Sequence, residues 1–407
     1  MILLAWLAAC SPPDDPAPAR KKAPEPVVEV SEHTTPVLPT QPIDTDTAEL
    51  TDTAEPEPDP GAVLFDDAFV HDIDFLIDEV AAQRLRDRPD GWQEATFVFD
   101  GVEVAEVGVR LKGNGSFQPF DDKPSWKVSL DRFVPDQELD GLDQLVLNNM
   151  GTDASMIRER MAYRAYQLAG IPAPRTAYAR VTVNGEERGT YLMVEDADRR
   201  FLRRWYEDSG GSLYEMFDVE FFSAQVPDFD HDGGPDDRRP LYALCDVLDD
   251  PSQRLVDEGS EVLDVEQFAA YLAVSAVLGQ FDAYPYSVPG DDIYLYVDPT
   301  DGRIDTLPHG ADEVFSDPHR PVDYVFGRLG LACMEEPICK QRFSDAVWHT
   351  LELLETENYT QQVSDEWEAM VAHRRPAPGL PNAARDRDRL MEFLTTRRKS
   401  LESMPGL

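Results

Sequence analysis

Alternating apolar and polar positions predict strands in the first half of the folded part of the chain. The pattern repeats around turn signals such as Asp100-Gly101 and Asn184-Gly185, which are typical of tight connections between antiparallel strands. The predicted strands cover residues 96–99, 102–104, 107–112, 123–130, 145–147, 178–183 and 190–194. The first half is therefore predicted to be mainly a β-sheet.

Helical periodicity appears once within this sheet and dominates afterwards. Residues 154–169 place Ile157, Met161 and Ala165 on one face, with Asp153 as the expected N-cap. Residues 268–278 are apolar all round and predict a buried helix that ends at Gly279. Other helices are predicted at 197–206, 340–354, 361–372 and 383–403. The fold class is therefore α+β, with a sheet that includes one helix followed by a mainly helical half.

A short hairpin after the buried helix is surrounded by aspartates. Residues 293–297 and 303–307 predict two strands joined by a loop that contains Pro299 and Asp301-Gly302. Asp292 precedes the first strand, Asp312 follows the second, and Asp282 lies in the preceding loop. Carboxylates brought together in this way repel one another unless a cation lies between them. The alternative explanation is that aspartates mark loops throughout an acidic protein.

The charge balance of the chain restricts its partners. Its 407 residues include 79 acidic and 37 basic side chains, for a net charge of −42. Such a surface excludes nonspecific nucleic-acid binding and disfavours anionic membranes. An anionic substrate requires a local basic pocket, for which Arg110, Lys112 and Lys127 are the candidates; solvated strand-face cations are the alternative, especially for Lys112.

The N-terminal sixty residues have the composition of a leader and a tether. Residues 1–10 are apolar and end in Leu7-Ala8-Ala9-Cys10, which resembles a bacterial lipoprotein processing signal with Cys10 as the lipidated residue. A clipped ordinary signal peptide or a chance cysteine is the alternative. Residues 11–60 are rich in Pro, Thr and acids and predict a disordered tether. We expect an extracytoplasmic protein, lipid-anchored in a bacterial cell envelope or secreted, with a lipid anchor as its only membrane contact.

The remaining cysteines fit an oxidising compartment. Cys333 and Cys339 are close enough in sequence to close a small disulfide loop, and Cys245 is expected to be free and buried. The seven histidines have no spacing typical of a zinc site or a hydrolytic triad. Asp228, Asp230 and Asp232 alternate as in the front of a calcium-binding loop, but without the later bidentate Glu, so a plain acidic loop is the alternative.

Several motifs follow one another in an order that resembles the CotH kinase family of secreted atypical protein kinases. They are Arg110-Leu-Lys-Gly-Asn-Gly-Ser116, Lys123-Pro-Ser-Trp-Lys127, Leu147-Asn148-Asn149, Asp153 with Arg158, and Val183-Asn184-Gly185 followed by Gly189-Thr-Tyr191 and Glu195. The resemblance covers roughly residues 65–400. It implies a two-lobed, protein-kinase-like fold, with a mixed β small lobe containing one main helix (61–196) and a mainly helical large lobe (197–407) that carries the catalytic loop and hairpin.

The resemblance also implies roles for particular residues. Asp282 matches the catalytic aspartate, Asp312 a metal ligand, and Asp292 a second metal ligand that is commonly Asn in the family. Pro308-His-Gly-Ala-Asp312 departs from a common Pro-Trp-Asp-x-Asp pattern. The residues expected to hold the nucleotide are Arg110, Lys112, Lys127, Glu159 as an ion-pair partner of Lys127, and Glu195 at the hinge, where a solvated loop acid is the alternative.

These roles predict an ATP-dependent phosphotransferase that uses Mg²⁺ or Mn²⁺ to modify Ser or Thr of a secreted or surface protein. One alternative is a noncatalytic adhesin or assembly protein on a kinase-like scaffold, since a fold does not decide function. Another alternative is transfer of the nucleotide instead of the γ-phosphate.

Overall fold

The computed structural model describes residues 59–66, 70–376, 380, 382–404 and 407. The predicted leader (1–10) and the predicted tether up to residue 58 lie outside the described residues. Within the described part, the chain forms an antiparallel-rich barrel followed by a second sheet packed among helices. The α+β class predicted from the sequence is confirmed.

A closed barrel forms the first half. Its strands are β1 (Val70–Leu76), β2 (Gln93–Phe99), β3 (Val102–Lys112), β4 (Ser125–Ser129), β5 (Gln144–Asn148), β6 (Thr176–Val183) and β7 (Glu186–Val194), and helix α1 (Glu79–Asp87) connects β1 to β2. The hydrogen-bonded order is β1-β2-β3-β4-β5-β7-β6, and parallel pairing of β1 with β6 closes the ring. Closure leaves this sheet without a free edge.

Large apolar side chains fill the barrel. Phe75 stacks on Trp126 with ring centroids 4.8 Å apart, and Phe97, Val128 and Tyr191 are buried with them. These residues alternate with outward-facing polar positions, as the strand pattern predicts. The prediction divided β3 at residues 105–106, whereas the strand continues through a bulge at which Glu106 has a positive φ of 56°. Strand β1 and helix α1 were missed.

Helix α2 (Arg158–Leu168) connects β5 to β6 and packs away from the barrel interior. Tyr166 stacks on Tyr271 of helix α5 (Val265–Leu278) with centroids 5.9 Å apart. The prediction started α2 at residue 154 with Asp153 as N-cap, and this start is wrong. The Asp153 carboxylate instead accepts from the backbone N–H of Ser155 and of Arg158, each at 2.8 Å, so it fixes the turn before the helix.

A second sheet lies in the half that was predicted to be mainly helical. It consists of β8 (Ser212–Met216), β9 (Asp230–Gly233), β10 (Ile293–Val297) and β11 (Ile304–Pro308), in the order β11-β10-β8-β9. The predicted hairpin is β10–β11, with Ile293 opposite Pro308 at its open end. The predicted buried helix is α5, which ends at Gly279 in the left-handed conformation. The sequence-based prediction did not include strands β8 and β9, and their presence corrects it.

The remaining helices surround α5 and the second sheet. They are α3 (Arg199–Arg203), α4 (Arg239–Asp249), α6 (Arg328–Glu335), α7 (Pro337–Thr356), α8 (Tyr359–Val371) and α9 (Ala383–Glu402). A disulfide joins Cys333 of α6 to Cys339 of α7, and Cys245 of α4 is free and buried, as predicted. Among the described residues, no helix has the length and apolar content needed to cross a bilayer.

Candidate functional site

A cleft of about 610 Å³ lies between the barrel and the open end of the β10–β11 hairpin. Its barrel wall consists of the ends of β3 and β5 and the glycine-containing start of the β3–β4 loop (residues 113–124). Its hairpin wall consists of the segments that flank β10 and β11. Six of the eight residues predicted from the sequence line this cleft: Arg110, Lys112, Glu159, Asp282, Asp292 and Asp312.

The hairpin wall begins with Asp292, which immediately precedes β10. Its carbonyl oxygen accepts from the backbone N–H of His309 at 3.3 Å, so the hairpin pairing brings the two chain segments together here. Gly310 lies directly against its carboxylate, and a side-chain carbon at Gly310 would overlap that carboxylate. Gly310 has a positive φ of 53°, which also favours glycine. The bare glycine therefore leaves the space that the Asp292 side chain occupies.

Acidic groups on this wall raise one another's pKa. Burial raises the pKa of the Asp292 carboxyl well above its usual range. Repulsion from the other acids of the cleft raises it further; these are Asp291, Asp312, Asp282 and Glu159. Burial likewise raises the pKa of Asp312, although a 2.7 Å hydrogen bond from the Thr152 hydroxyl lowers it in part. Burial and repulsion therefore both oppose ionisation of these carboxyls, and a cation bound between them would favour their charged forms.

Glu159 reaches the same cleft from the first turn of α2. Burial, and then repulsion from Asp312, raises its pKa to about 7. The Asn148 amide donates to its two oxygens at 2.8 and 3.0 Å, and the Lys112 ammonium lies 3.5 Å from the Asn148 side-chain oxygen. Asn148 therefore links Lys112 of the barrel wall to Glu159.

The predicted ion pair between Lys127 and Glu159 is wrong. Lys127 contacts Asp196 at 3.3 Å, because its position on β4 directs it toward the chain leaving β7. Lys112, one strand away, is the lysine whose charge acts on Glu159. Lys127 stands opposite Arg110 in the β3–β4 register and lies outside the lining of the cleft.

Glu195 also lies outside the lining of the cleft. Its carboxylate is buried, pairs with Arg175 at 2.7 Å and with Arg204, and accepts from the backbone N–H of Arg175 at 3.0 Å. These contacts join the end of β7 to the start of β6 and to the residue after α3. Glu195 therefore has a structural role in joining these segments, and the sequence did not indicate that role.

Asp282 stands at the mouth of the cleft in the loop after α5, and its side chain is exposed. Two hydrogen bonds fix the neighbouring backbone. Gln280 donates to the Gly310 carbonyl at 3.1 Å, and the Tyr284 N–H donates to the Asp291 carbonyl at 2.9 Å. A solvent-exposed carboxylate is thus held on a fixed loop beside Asp292 and Asp312.

Arg158 holds the segment that follows Asp312. Its guanidinium pairs with Asp386 of α9 at 2.7 Å and with Asp153 at 3.5 Å, and it donates to the Val314 carbonyl. All three side chains are buried. The backbone two residues beyond Asp312 is therefore tied to α2 and α9 through one arginine.

Several cleft residues were not assigned a role from the sequence. They are Asn148, Asn149, Thr152, Glu215, Asp291 and His309. Asn148 and Asn149 belong to the motif Leu147-Asn148-Asn149, and this motif is the sequence feature that could have indicated their place in the cleft. Burial, and then the charge of Lys112, lowers the pKa of His309 to about 3, so its imidazole is neutral at neutral pH. His309 lies 3.5 Å from Glu215.

The calcium-binding candidate does not form a loop. Asp228 ends a short 3₁₀ turn (Val226–Asp228), whereas Asp230 and Asp232 belong to β9. Within the described ranges, no group of three or more His, Cys, Asp or Glu side chains is arranged to hold a metal ion. A site completed by substrate phosphates needs fewer protein ligands, since Mg²⁺ is usually held by one or two carboxylates together with phosphate oxygens and waters. The half-buried, mutually repelling carboxylates of Asp292 and Asp312 fit that kind of site.

Comparison with known proteins identifies a family. The family model described as CotH kinase protein matches residues 109–374. Invasin CotH2 of Rhizopus delemar is 22% identical over 60% of this chain and 44% of its own length. From Bacillus subtilis, an inner spore coat protein H-like protein is 31% identical over 24% of this chain and 34% of its own length. Inner spore coat protein H of the same organism is 22% identical over 64% and 75%. The chain thus spans less than half of the length of two of these relatives.

Two solved structures are weakly similar to the fold. The Helicobacter pylori proinflammatory kinase CtkA covers 68% of this chain and 91% of its own, at 8% identity and a TM-score of 0.36. The Shewanella oneidensis MR-1 toxin–antitoxin complex of HipA, HipB and operator DNA covers 81% and 72%, at 12% identity and a TM-score of 0.32. Both TM-scores are low, and the fold described above rests on the strand order and helix positions of this chain alone.

Proposed function

Because the chain belongs to the CotH kinase family, we propose that it is a surface-anchored phosphotransferase that uses ATP and a divalent metal to phosphorylate Ser or Thr of a secreted or surface protein. One observation carries the proposal. A cleft with cations on its barrel wall faces a hairpin wall whose half-buried carboxylates repel one another. A phosphate chain with its metal ion complements both walls.

The barrel wall would hold the phosphates. Arg110 and Lys112 end β3 at the cleft, and the β3–β4 loop begins with Gly113-Asn114-Gly115 beside them. Cations and loop amides are the groups that commonly position phosphates for transfer. In a chain of net charge −42, this local basic pocket is what an anionic substrate requires.

The hairpin wall would hold the metal. A bound Mg²⁺ or Mn²⁺ would neutralise negative charge on the phosphoryl group that is transferred. Asp312 and Asp292 provide the oxygens for it, and Gly310 leaves room for the Asp292 carboxylate. Asp in place of the more common Asn at position 292 keeps an oxygen ligand and adds one negative charge.

Asp282 would orient the acceptor. Its carboxylate is exposed at the mouth of the cleft, where a serine or threonine hydroxyl from another protein has access to it. There it accepts the hydroxyl proton as the oxygen attacks the γ-phosphate, and the displaced group is ADP. The neutral His309 adds no positive charge to the wall that carries Asp292.

The test is transfer of label from γ-labelled ATP by the purified protein with Mg²⁺ or Mn²⁺. We expect Asp282→Asn to fold normally and to lower transfer by a factor of about 10² to 10⁴, the usual contribution of a positioned proton acceptor. Asp365→Asn is the matched control, since Asp365 is an exposed acid on α8 remote from the cleft. Equal labelling by Asp282→Asn and the parent would refute the role of Asp282.

A second function is supported by the name of one relative, an invasin. In that case the chain is a noncatalytic surface-binding protein on the same scaffold, and Asp282 and Asp312 are dispensable. Absence of label transfer with either metal, together with unchanged binding to a surface partner in Asp282→Asn, would favour it. Label retained from α-labelled but not γ-labelled ATP would instead indicate transfer of the nucleotide.

Surface location is part of the proposal. The spore-coat and invasin names of the relatives and the disulfide between Cys333 and Cys339 support it. The lipid anchor rests on Leu7-Ala8-Ala9-Cys10. We expect Cys10→Ser to release the protein from the membrane fraction of the producing cell; retention there would refute the anchor.

A further inference from the structure

Asn149 is a buried amide at the junction between the barrel and the cleft. It follows β5 and is 1% exposed. Its side-chain NH₂ donates to the carbonyls of Ser116 and Lys123, each at 3.0 Å, and its side-chain oxygen accepts from the Gly151 N–H at 2.8 Å. One amide therefore binds the glycine-containing start of the β3–β4 loop, the end of that loop, and the segment after β5.

Lys123 makes the return contact. Lys123 is 2% exposed, and its ammonium donates to the Asn149 carbonyl at 2.8 Å and lies 4.9 Å from the centre of the Tyr191 ring. The Asn149 N–H donates to the Ser125 hydroxyl at 3.0 Å. The backbone and the side chain of Asn149 are thus both bonded to the end of the β3–β4 loop.

The segment after Asn149 reaches the opposite wall of the cleft. A side-chain carbon at Gly151 would lie 2.9 Å from the Asn149 side-chain oxygen, so the segment turns tightly against it. The next residue, Thr152, donates to the Asp312 carboxylate at 2.7 Å. The contacts therefore run from Ser116 on the barrel wall, through Asn149, to Asp312 on the hairpin wall.

Other contacts hold the middle of the β3–β4 loop and leave its start to Asn149. Arg86 pairs with the Asp121 carboxylate at 3.0 Å, and Arg188 donates to the Asp121 carbonyl at 2.7 Å. Both contacts are exposed. Near the glycines, Phe117 makes a local turn contact with Asn114 at 3.2 Å. The Asn149 amide adds a partly buried hydrogen bond to Ser116 at the start of the loop and a buried one to Lys123 near its end.

We propose that Asn149 and Lys123 form a clip that positions the β3–β4 loop over the bound nucleotide and sets nucleotide affinity. The proposal rests on the proposed function, since it assigns the phosphates of ATP to this loop. Asn149 is a positioning residue. It acts on the nucleotide through the loop, and the transfer step is left to Asp282. Weakening the clip therefore raises the KM for ATP and leaves kcat at saturating ATP nearly unchanged.

The first measurement does not need nucleotide. In Asn149→Asp the oxygen that accepts from Gly151 is kept and the two donors to the loop are lost. We expect amide hydrogen exchange of residues 113–124 to speed up by about tenfold, as loss of one buried and one partly buried hydrogen bond implies. Asn184→Asp is the matched control. It removes the donor to the Ile77 carbonyl and keeps the acceptor for the Ile77 N–H, on a hairpin away from the cleft. Unchanged exchange in Asn149→Asp would refute the clip.

The second measurement is ATP affinity, by direct binding and by the KM of label transfer. We expect both to weaken by about tenfold in Asn149→Asp and to stay at parent values in Asn184→Asp. Lys123→Met removes the ammonium and keeps a similar apolar volume, and it should also weaken the affinity for ATP. This variant replaces Asn149→Asp in the test if Asn149→Asp fails to fold.

The outcomes separate the two proposals. Faster loop exchange with unchanged ATP affinity refutes the assignment of the nucleotide to this loop. A fall in kcat at saturating ATP with unchanged KM refutes positioning. A parent protein that binds no ATP with either metal refutes the proposed function, and the exchange measurement still decides whether Asn149 holds the loop.

Discussion

The buried Glu195 and the half-buried pair Asp292 and Asp312 differ in what surrounds them. Glu195 lies between Arg175 and Arg204, so its charge is matched within the protein. Asp292 and Asp312 face other acids, and burial with mutual repulsion raises their pKa values. Each of these acids lies close to the end of a strand. The difference lies in the sign of the nearest charges.

The comparison separates structural from functional carboxylates. A buried acid with arginine partners is expected to support the fold, because removing one partner leaves an uncompensated charge. Buried acids that repel one another cost stability unless a ligand compensates them, which is typical of sites that bind cations or move protons. Position in a motif alone did not make this distinction, since the sequence assigned Glu195 and Asp292 to the same site.

The largest effect is expected at Glu195. Glu195→Ala removes the buried carboxylate that the half-buried Arg175 and Arg204 share. Among the described ion pairs of these two arginines, only the one between Arg175 and Asp59 then remains, and we expect a loss of roughly 3 to 5 kcal/mol in the free energy of unfolding. Glu186→Ala is the control, because Glu186 pairs with Arg188 at 3.2 Å but its side chain is 75% exposed; we expect a loss below about 1 kcal/mol. Urea denaturation measures both. Equal losses in the two variants would contradict the structural role of Glu195.

A smaller effect is expected when a cation reaches the repelling acids. Mg²⁺ or Mn²⁺ at about a hundredfold excess over its dissociation constant should stabilise the parent by about 2.7 kcal/mol. Asp292→Asn should gain less, because it has already lost one of the repelling charges, and Asp365→Asn should respond like the parent. Thermal melts across a metal titration provide the comparison. If parent and Asp292→Asn are both indifferent to metal, the acids do not share a cation.

The smallest of the three expected effects is the change in the free energy of unfolding per pH unit. The pKa of Glu159 is raised to about 7, so the folded state binds this proton more tightly than the unfolded state. The contribution of Glu159 to the stability of the metal-free protein should therefore be fully present below the usual glutamate pKa of about 4.5 and be lost as pH rises toward 7, by at most about 1.4 kcal/mol per pH unit. Denaturation with a chelator from pH 4.5 to 7.5 measures the slope. Glu159→Gln should flatten it, and an unchanged slope would contradict the shift.

Features set by neighbouring residues were predictable from the sequence. The β10–β11 hairpin follows from two apolar runs around a turn, and α5 from an apolar run that ends at Gly279. The disulfide of Cys333 with Cys339 follows from their spacing. The hairpin and its preceding loop also predicted that Asp282, Asp292 and Asp312 lie together, and all three line one cleft; the resemblance to the family added the roles proposed for them.

Features set by distant residues were not predictable. Closure of the barrel depends on the parallel pairing of β1 with β6, in which Val70 lies opposite Tyr178. These residues are far apart in the chain, so no local sequence pattern predicts the pairing. The partners of Glu195 and the contacts of Asn149 likewise depend on which strands become neighbours. Strands β8 and β9 were missed because they are short and carry polar residues.

The contact between Arg158 and Asp386 bears on how short a fragment of this chain can be and still fold on its own. The family match ends at residue 374, whereas Asp386 lies beyond it on α9, and β1 and β2 lie before its start at residue 109. A fragment cut at the limits of the match would contain every acid of the cleft. It would also leave the Arg158 guanidinium without its principal anion and the barrel without two of its strands. The segment after Asp312 is thus supported by a part of the chain that the family signature does not include.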